Sequence, residues 1–315
     1  MAILSKSVLY DMYVATELSG NESTAYKISK ANADSGWSFG QCQWDLLKNP
    51  SDAAGKPRAV FQDILKTATD TSGNRILSDT EVNEIMKQVA KSDGNISSYE
   101  TRINQALQTT DGKTAINTSY NAYLDKKLNR LNNLLSELEN SGTRGAAVAA
   151  DIRDNEILQM LILDYDNKFP GTNGGVDGIN SPGNYTTSDD GALMKLLKNG
   201  VTTINGKTVK VDGDFDVEDY LEFLFSTAEA NKISGNYSGA KDLLRRIDAI
   251  RDLAETKFGL TEEEWKIVDG LMGLYALKLS AKDLLTKIRA LFSTATTTRS
   301  PILLDLDGDG VIKTL

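Results

Sequence analysis

Apolar residues recur three and four positions apart along most of the chain, the spacing of helices that bury one face. Residues 5–18 predict a first helix with Val8, Met12 and Ala15 on one side. Residues 58–68 predict a second, through Val60, Ile64, Leu65 and Ala68. Ser78-x-x-Glu81 is a capping box that opens a helix to about Lys91, and Ser97-x-x-Glu100 repeats the device for a helix to about Thr109. Residues 119–140 form a long amphipathic helix whose buried stripe is Leu124, Leu128, Leu131, Leu135 and Leu138. A helix over 146–169 is apolar enough from Ile157 to Leu163 to be central. Helices follow at 216–231 and 238–257, and Thr261-Glu-Glu-Glu264 caps another that reaches to about Phe292.

The pattern breaks in a few places. Residues 19–43 are rich in Ser, Asn and Gly and read as loop or short irregular structure. Asp70-Thr-Ser-Gly-Asn74 is a turn, and 170–190 is a Gly- and Asn-rich loop. Period-two alternation is clear only at 201–211, where Asn205-Gly206 favours the type I′ turn of a hairpin. A Thr-rich linker at 294–300 leads into the C-terminus, and no internal repeat is visible. The fold class is therefore mainly α, with one small β-hairpin near 201–211.

Composition then removes whole classes of chemistry. The chain has 315 residues, 44 acidic against 35 basic, and a net charge of −9. No basic stripe exists to track phosphates, so nucleic acid is not an expected partner. Lys241, Arg245, Arg246 and Arg251 are interrupted by Asp242 and Asp248 and read as a solvated helix face. Histidine is absent, which excludes a Ser–His–Asp triad and His-ligated zinc. The single cysteine, Cys42, excludes an internal disulfide and reads as a small buried filler. No run of about 18 apolar residues occurs, so no transmembrane segment is expected, and the N-terminus lacks the features of a secretory signal.

The informative chemistry lies at 15–46. Glu17 ends the first helix. Tyr26 follows, and then Gly36-Trp-Ser-Phe-Gly-Gln-Cys-Gln-Trp-Asp-Leu46. Cleaving a glycosidic bond requires a carboxylic acid that protonates the leaving oxygen and a second polar group that positions water or steadies the sugar cation. A glutamate at a helix end near Tyr13, Tyr26 and Trp37 meets the first need, and glycines let the backbone approach a sugar closely. Trp37 and Trp44 offer faces for stacking or for core packing. Gly36-x-Ser38-x-Gly40 also matches the nucleophile elbow of α/β-hydrolases, but that elbow needs a preceding strand, a following helix and a histidine, so the esterase reading is rejected.

The order of Glu17, Tyr26, Gly36, Ser38, Gly40, Gln43 and Asp45 resembles the lysozyme-like superfamily, and in particular larger bacterial peptidoglycan hydrolases deployed as antibacterial toxins. The resemblance implies a bilobed α+β lysozyme-like fold with sugar bound between lobes. It implies Glu17 as general acid, Ser38 with Asp34 or Asp45 holding the attacking water, and Tyr26, Trp37, Gln43 and Trp44 as substrate-binding residues. Glu22 is the alternative acid. The expected reaction is hydrolysis of the β-1,4 glycan backbone of peptidoglycan, without a cofactor. The alternatives are a non-enzymatic glycan-binding adhesin or calcium-linked interaction protein, and a chitosanase- or chitinase-like hydrolase.

At the C-terminus, Asp305-x-Asp307-x-Asp309-Gly310-x-Ile312 matches the first eight positions of an EF-hand-type calcium loop, and the twelfth falls just past Leu315. With Ser300-Pro-Ile-Leu-Leu304 before it, the stretch resembles the segment that introduces the calcium-binding portion of large RTX-type secreted proteins. That resemblance implies calcium at Asp305, Asp307 and Asp309 in a longer protein and secretion by a type I-like or other leaderless route, while the resemblance to antibacterial toxins implies an immunity protein as partner. The expected division is a catalytic domain at 1–257, a helical extension at 258–298 and the start of a calcium module at 299–315.

Overall fold

The computed structural model of the chain describes residues 4–30, 36–49, 51, 53, 55–168, 191–204, 207–211, 213–233 and 237–258. The chain divides into two compact units, Met1–Trp265 and Lys266–Leu315. The second unit lies outside the described residues, as do the loop expected at 170–190 and the calcium motif.

The first unit is mainly helical, with two small antiparallel sheets. Its N-terminal part holds α1 (Lys6–Leu18), a 3-10 turn at Glu22–Tyr26, and the strands β1 (Ser29–Lys30), β2 (Trp37–Phe39) and β3 (Trp44–Asp45). Helices α2 (Pro57–Thr67), α3 (Asp79–Val89), α4 (Glu100–Gln108), α5 (Thr110–Glu139), α6 (Thr143–Arg153) and α7 (Glu156–Lys168) follow. After them come α8 (Ala192–Asn199), β4 (Val201–Ile204), β5 (Lys207–Lys210), α9 (Val217–Ile233) and α10 (Tyr237–Phe258). Helix α1 packs against α10, α5 and α7, and α5 packs against α2 and α6.

Local chemistry explains most boundaries. The Ser5 side chain accepts a bond from Val8 N–H and starts α1. Ser19, at a φ of 50°, and Gly20, whose N–H returns to the Val14 carbonyl, end it. The Ser78–Glu81 capping box is complete in both directions. Asp70 Oδ1 accepts from Ser72 and Asn74 N–H, so 70–74 is a side-chain-stapled turn. Strands β4 and β5 pair from Val201↔Lys210 to Ile204↔Lys207, which is the expected hairpin.

Other boundaries differ from the sequence pattern. The buried face of α1 is Leu9, Met12, Tyr13 and Thr16, one step round from the expected face, with Val8 and Ala15 half-buried. Ser97 does not cap α4. The helix begins at Glu100 without a side-chain cap, because the preceding residues turn on Asn95, whose side chain accepts from Ser97 N–H. The long helix starts at Thr110, capped by Thr109, ahead of the expected 119. The expected helix over 146–169 is two helices, because Asn155 Oδ1 accepts from Ile157 and Leu158 N–H and restarts the chain as α7. The stretch 19–43, expected as irregular, contributes β1 and β2, which with β3 form the sheet β1–β2–β3.

Gln159 is fully buried and joins this architecture. It accepts from Leu4 N–H at 2.8 Å and donates to the Ile152 and Arg153 carbonyls at 3.1 Å each, bridging the start of α1 and the α6–α7 break. A Gln159→Leu variant strands these backbone groups and is expected to lose about 3 kcal/mol in urea unfolding; an unchanged midpoint contradicts the bridge.

Arg102, 2.7 Å from Glu81, and then the Ser78 backbone N–H and hydroxyl hold the Glu81 carboxyl down to about 2 from an ordinary 4.5. The folded value lies below the unfolded one. The contribution is therefore whole above about 4.5 and is lost as pH falls towards about 2. Over that window Glu81→Gln is expected to lose less stability than wild type, measured by urea midpoints; parallel curves contradict the expectation.

Candidate active site

The site is built on the end of α1 and on the small sheet. Because α1 stops at Leu18, Glu17 lies in its last turn and is half-buried. In the sheet, Ser29 faces Ser38, Ser38 faces Asp45, and Phe39 faces Trp44. The two motif glycines make this close packing possible. Gly40 has a φ of +79°, and a Cβ there would meet the Trp44 ring at 2.6 Å. A Cβ on Gly36 would meet Asp45 Oδ1 at 2.4 Å and Leu47 Cβ at 2.5 Å. Gln43 is a non-glycine residue at a φ of +46°, held by Ser29 Oγ at 2.8 Å and by its own bond to the Gly40 carbonyl.

A cleft of about 890 Å³ opens beside these residues. Glu17, Gln43, Trp44 and Asp45 line it from α1 and the sheet, with Asn167 from α7 and Arg246 from α10. Another wall is one face of α5, formed by Tyr123, Lys126, Lys127 and Arg130.

Glu17 Oε1 accepts from Asn167 Nδ2 at 2.6 Å and from Arg246 Nη2 at 2.7 Å. Oε2 takes no hydrogen bond among the described residues. Asn167 is itself oriented by the Tyr123 hydroxyl, which donates to Asn167 Oδ1. Arg246 is buried and forks onto Asp164, with Nε 2.9 Å from Oδ2 and Nη2 2.5 Å from Oδ1. Burial opposes the charge on Arg246, but Asp164 and then Glu17 outweigh it and hold the guanidinium pKa above its ordinary value. Arg245 Nη2, at 2.7 Å from the Thr16 carbonyl, closes the last turn of α1. Next along α7, buried Asp166 meets Lys127 Nζ at 2.6 Å and Arg130 Nη2 at 2.7 Å. Burial pushes the Lys127 ammonium below its ordinary value, with Asp166 acting against that shift.

The other residues proposed from sequence are distributed as follows. Asp45 lines the cleft, but its Oδ1 accepts from Leu47 and Lys48 N–H and its Oδ2 from Gly36 N–H, so it also holds the turn after β3. Trp44 is largely buried against Phe39 and Tyr123 and contributes to the wall. Trp37 is buried away from the cleft lining, with its indole N–H on the Gly94 carbonyl at 3.0 Å. Ser38 is buried in mid-strand, and Tyr26 donates to Asn117; neither lines the cleft. Asp34 lies outside the described residues. Glu22, the alternative acid, accepts from Tyr10 and Tyr26 outside the cleft lining. Cys42 is half-buried in the cleft wall, and burial pushes its thiol pKa well up. Among the described residues no cluster of metal-ligating side chains occurs.

Sequence reasoning assigned Arg246 to a solvated face, and the structure corrects this: Arg246 is buried and holds Glu17. The signal was present. Leu243, Ile247, Ile250 and Ala254 form the buried stripe of α10, and Arg246 falls within it. Asn167 and Asp164 were also missed, although polar residues that interrupt an apolar helix mark a buried network.

Comparison with known proteins finds no match: no family model, no curated protein and no solved structure aligns with the chain.

Replacing Arg246 with Met leaves Asp164 buried without its cation and is expected to cost about 3–5 kcal/mol in denaturant unfolding. Arg246→Lys is expected to recover only part of that, because an ammonium cannot fork onto Asp164 while reaching Glu17. Wild-type stability in the Met variant would contradict the assignment.

Proposed function

We propose that the chain is a lysozyme-like glycoside hydrolase that cleaves the β-1,4 glycan backbone of bacterial peptidoglycan, with Glu17 as its general acid. The observation that carries this reading is the meeting of Glu17 with Gln43, Trp44 and Asp45 on one cleft, from segments that the sequence motif alone had grouped. Asn167 and Arg246 grip Glu17 Oε1, so the carboxyl is held in one orientation with Oε2 as its proton-donating oxygen. As the proton leaves, negative charge develops beside the Arg246 guanidinium, which is already in place. Asp45 is the proposed partner that holds water, with Ser38 backing it from the neighbouring strand; Asp34 is the alternative. Trp44 and Gln43 would contact sugar. No step calls for a cofactor.

The same reading makes the chain a secreted antibacterial protein, with calcium held at Asp305, Asp307 and Asp309 and an immunity protein as its counterpart. Among the described residues no helix is long and apolar enough to cross a membrane.

One observation favours a second reading. Glu17 Oε1 is already committed to two donors. A cleft that only binds glycan would use Glu17 as a fixed acceptor for sugar hydroxyls, with no proton transfer.

Turbidity loss of purified peptidoglycan, with mass spectrometry of the released fragments, separates the two. Wild type is expected to release glycan fragments and Glu17→Gln to be slower by about 10²–10⁴-fold, the usual contribution of a general acid. Binding without release by folded wild type supports the glycan-binding reading. Full activity in Glu17→Gln moves the acid elsewhere, and preference for soluble chitosan changes the substrate.

A further inference from the structure

The formal charges around the cleft are not spread evenly. At one end, Arg246 stands between the carboxyl groups of Glu17 and Asp164, so no positive charge is in surplus there. Along α5 there is such a surplus, because Asp166 alone faces both Lys127 and Arg130. Lys126 sits beside them on the same wall, exposed and without an ion pair among the described residues. The other charges of the wall cancel in pairs: Lys48 with Asp45 at 3.8 Å, and Asp242 with Arg245 at 2.8 Å. A positive wall thus stands in a chain whose net charge is −9.

Arg130 lines the same wall, with its Nη2 2.7 Å from Asp166 Oδ1 and that edge of the guanidinium buried. A guanidinium is the planar donor that matches a carboxylate. The cationic wall and the acid are rigidly linked, since Tyr123 on α5 orients Asn167, which holds Glu17.

We propose that Lys126 and Arg130 bind a carboxylate on the glycan, so that the cleft selects a carboxylate-bearing amino-sugar polymer over neutral chitin or cationic chitosan. This rests on the glycosidase reading of the cleft. Lys126 and Arg130 are one helical turn apart on α5, about 6 Å along its axis, so one anionic group can lie between them. Lys127, buried behind, adds its field through a medium of low dielectric. Neutral chitin would leave this wall unpaired, and the ammonium groups of chitosan would meet like charge. The carboxylate is either the lactyl group on the sugar itself or one on an attached peptide.

The test uses the Glu17→Gln protein, which binds without cutting, and compares it with Glu17→Gln/Lys126→Glu. Each is titrated against intact wall fragments, peptide-free glycan strands, the same strands with their carboxyl groups amidated, and chitin oligosaccharides. Lys126 is exposed, so its substitution leaves the core untouched. The Glu17→Gln protein is expected to bind carboxylate-bearing material about 10-fold more tightly than amidated strands or chitin, the effect of one charge-assisted contact. Lys126→Glu is expected to abolish that preference while leaving affinity for amidated strands unchanged. Preference retained on peptide-free strands identifies the sugar-borne carboxylate, and preference seen only with intact wall identifies the peptide. Equal binding of amidated and charged strands, or no effect of Lys126→Glu, overturns the inference. Wall cleavage by wild type in that case leaves the glycosidase reading standing. Absence of both binding and cleavage removes that reading and this one together.

Discussion

Two carboxylates buried on one helix organise this unit. Asp164 and Asp166 sit near the C-terminal end of α7, where the helix dipole gives no help to an anion, and both are almost fully buried. Charges in such a place persist only when cations reach them. Arg246 comes from α10 to the first, and Lys127 and Arg130 come from α5 to the second. The helices that supply those cations are thereby held in one register against α7. Hydrophobic burial supplies most of the stabilisation, but apolar faces tolerate sliding and forked ion pairs do not.

The site is a by-product of that register. Arg246 forks onto Asp164 and has one guanidinium edge left for Glu17, which arrives on α1. Asn167, one residue beyond Asp166, supplies the other bond to Glu17. The same network that holds three helices together therefore orients one carboxylate at the wall of a cleft. Any chemistry assigned to Glu17 uses a group whose position is set by core electrostatics and not by a mobile loop.

The glycine-rich segment opposite has a different logic. Gly36 and Gly40 are required because Asp45 and Trp44 pack where a Cβ would stand. Ser38 lies buried between them. The spacing that resembles a catalytic signature is thus also the minimum needed to fold three short strands tightly. What reaches the cleft from this segment is its far end, Cys42 to Asp45, together with the strained backbone at Gln43. Together with α5, the cleft sets the carboxyl group of Glu17 at one end against a cationic wall.

Interactions spanning a few residues were legible in the sequence. The Ser78–Glu81 box, the Asp70 turn, the 201–211 hairpin and the leucine stripe of α5 all follow from patterns of two to four residues, and Leu124, Leu131, Leu135 and Leu138 are buried. The motif at 36–45 marked a segment that borders the cleft. The buried face of α1, the break at Asn155 and the sheet β1–β2–β3 depended on what each segment packs against, which propensity does not encode. The pairing of Glu17 with Arg246 joins residues 229 apart, and that of Arg246 with Asp164 joins residues 82 apart. A sequence can show that an arginine lies on an apolar stripe, but which carboxylate it meets is decided only when helices α1, α7 and α10 come together, because an ion pair's energy depends on distance in space and on burial.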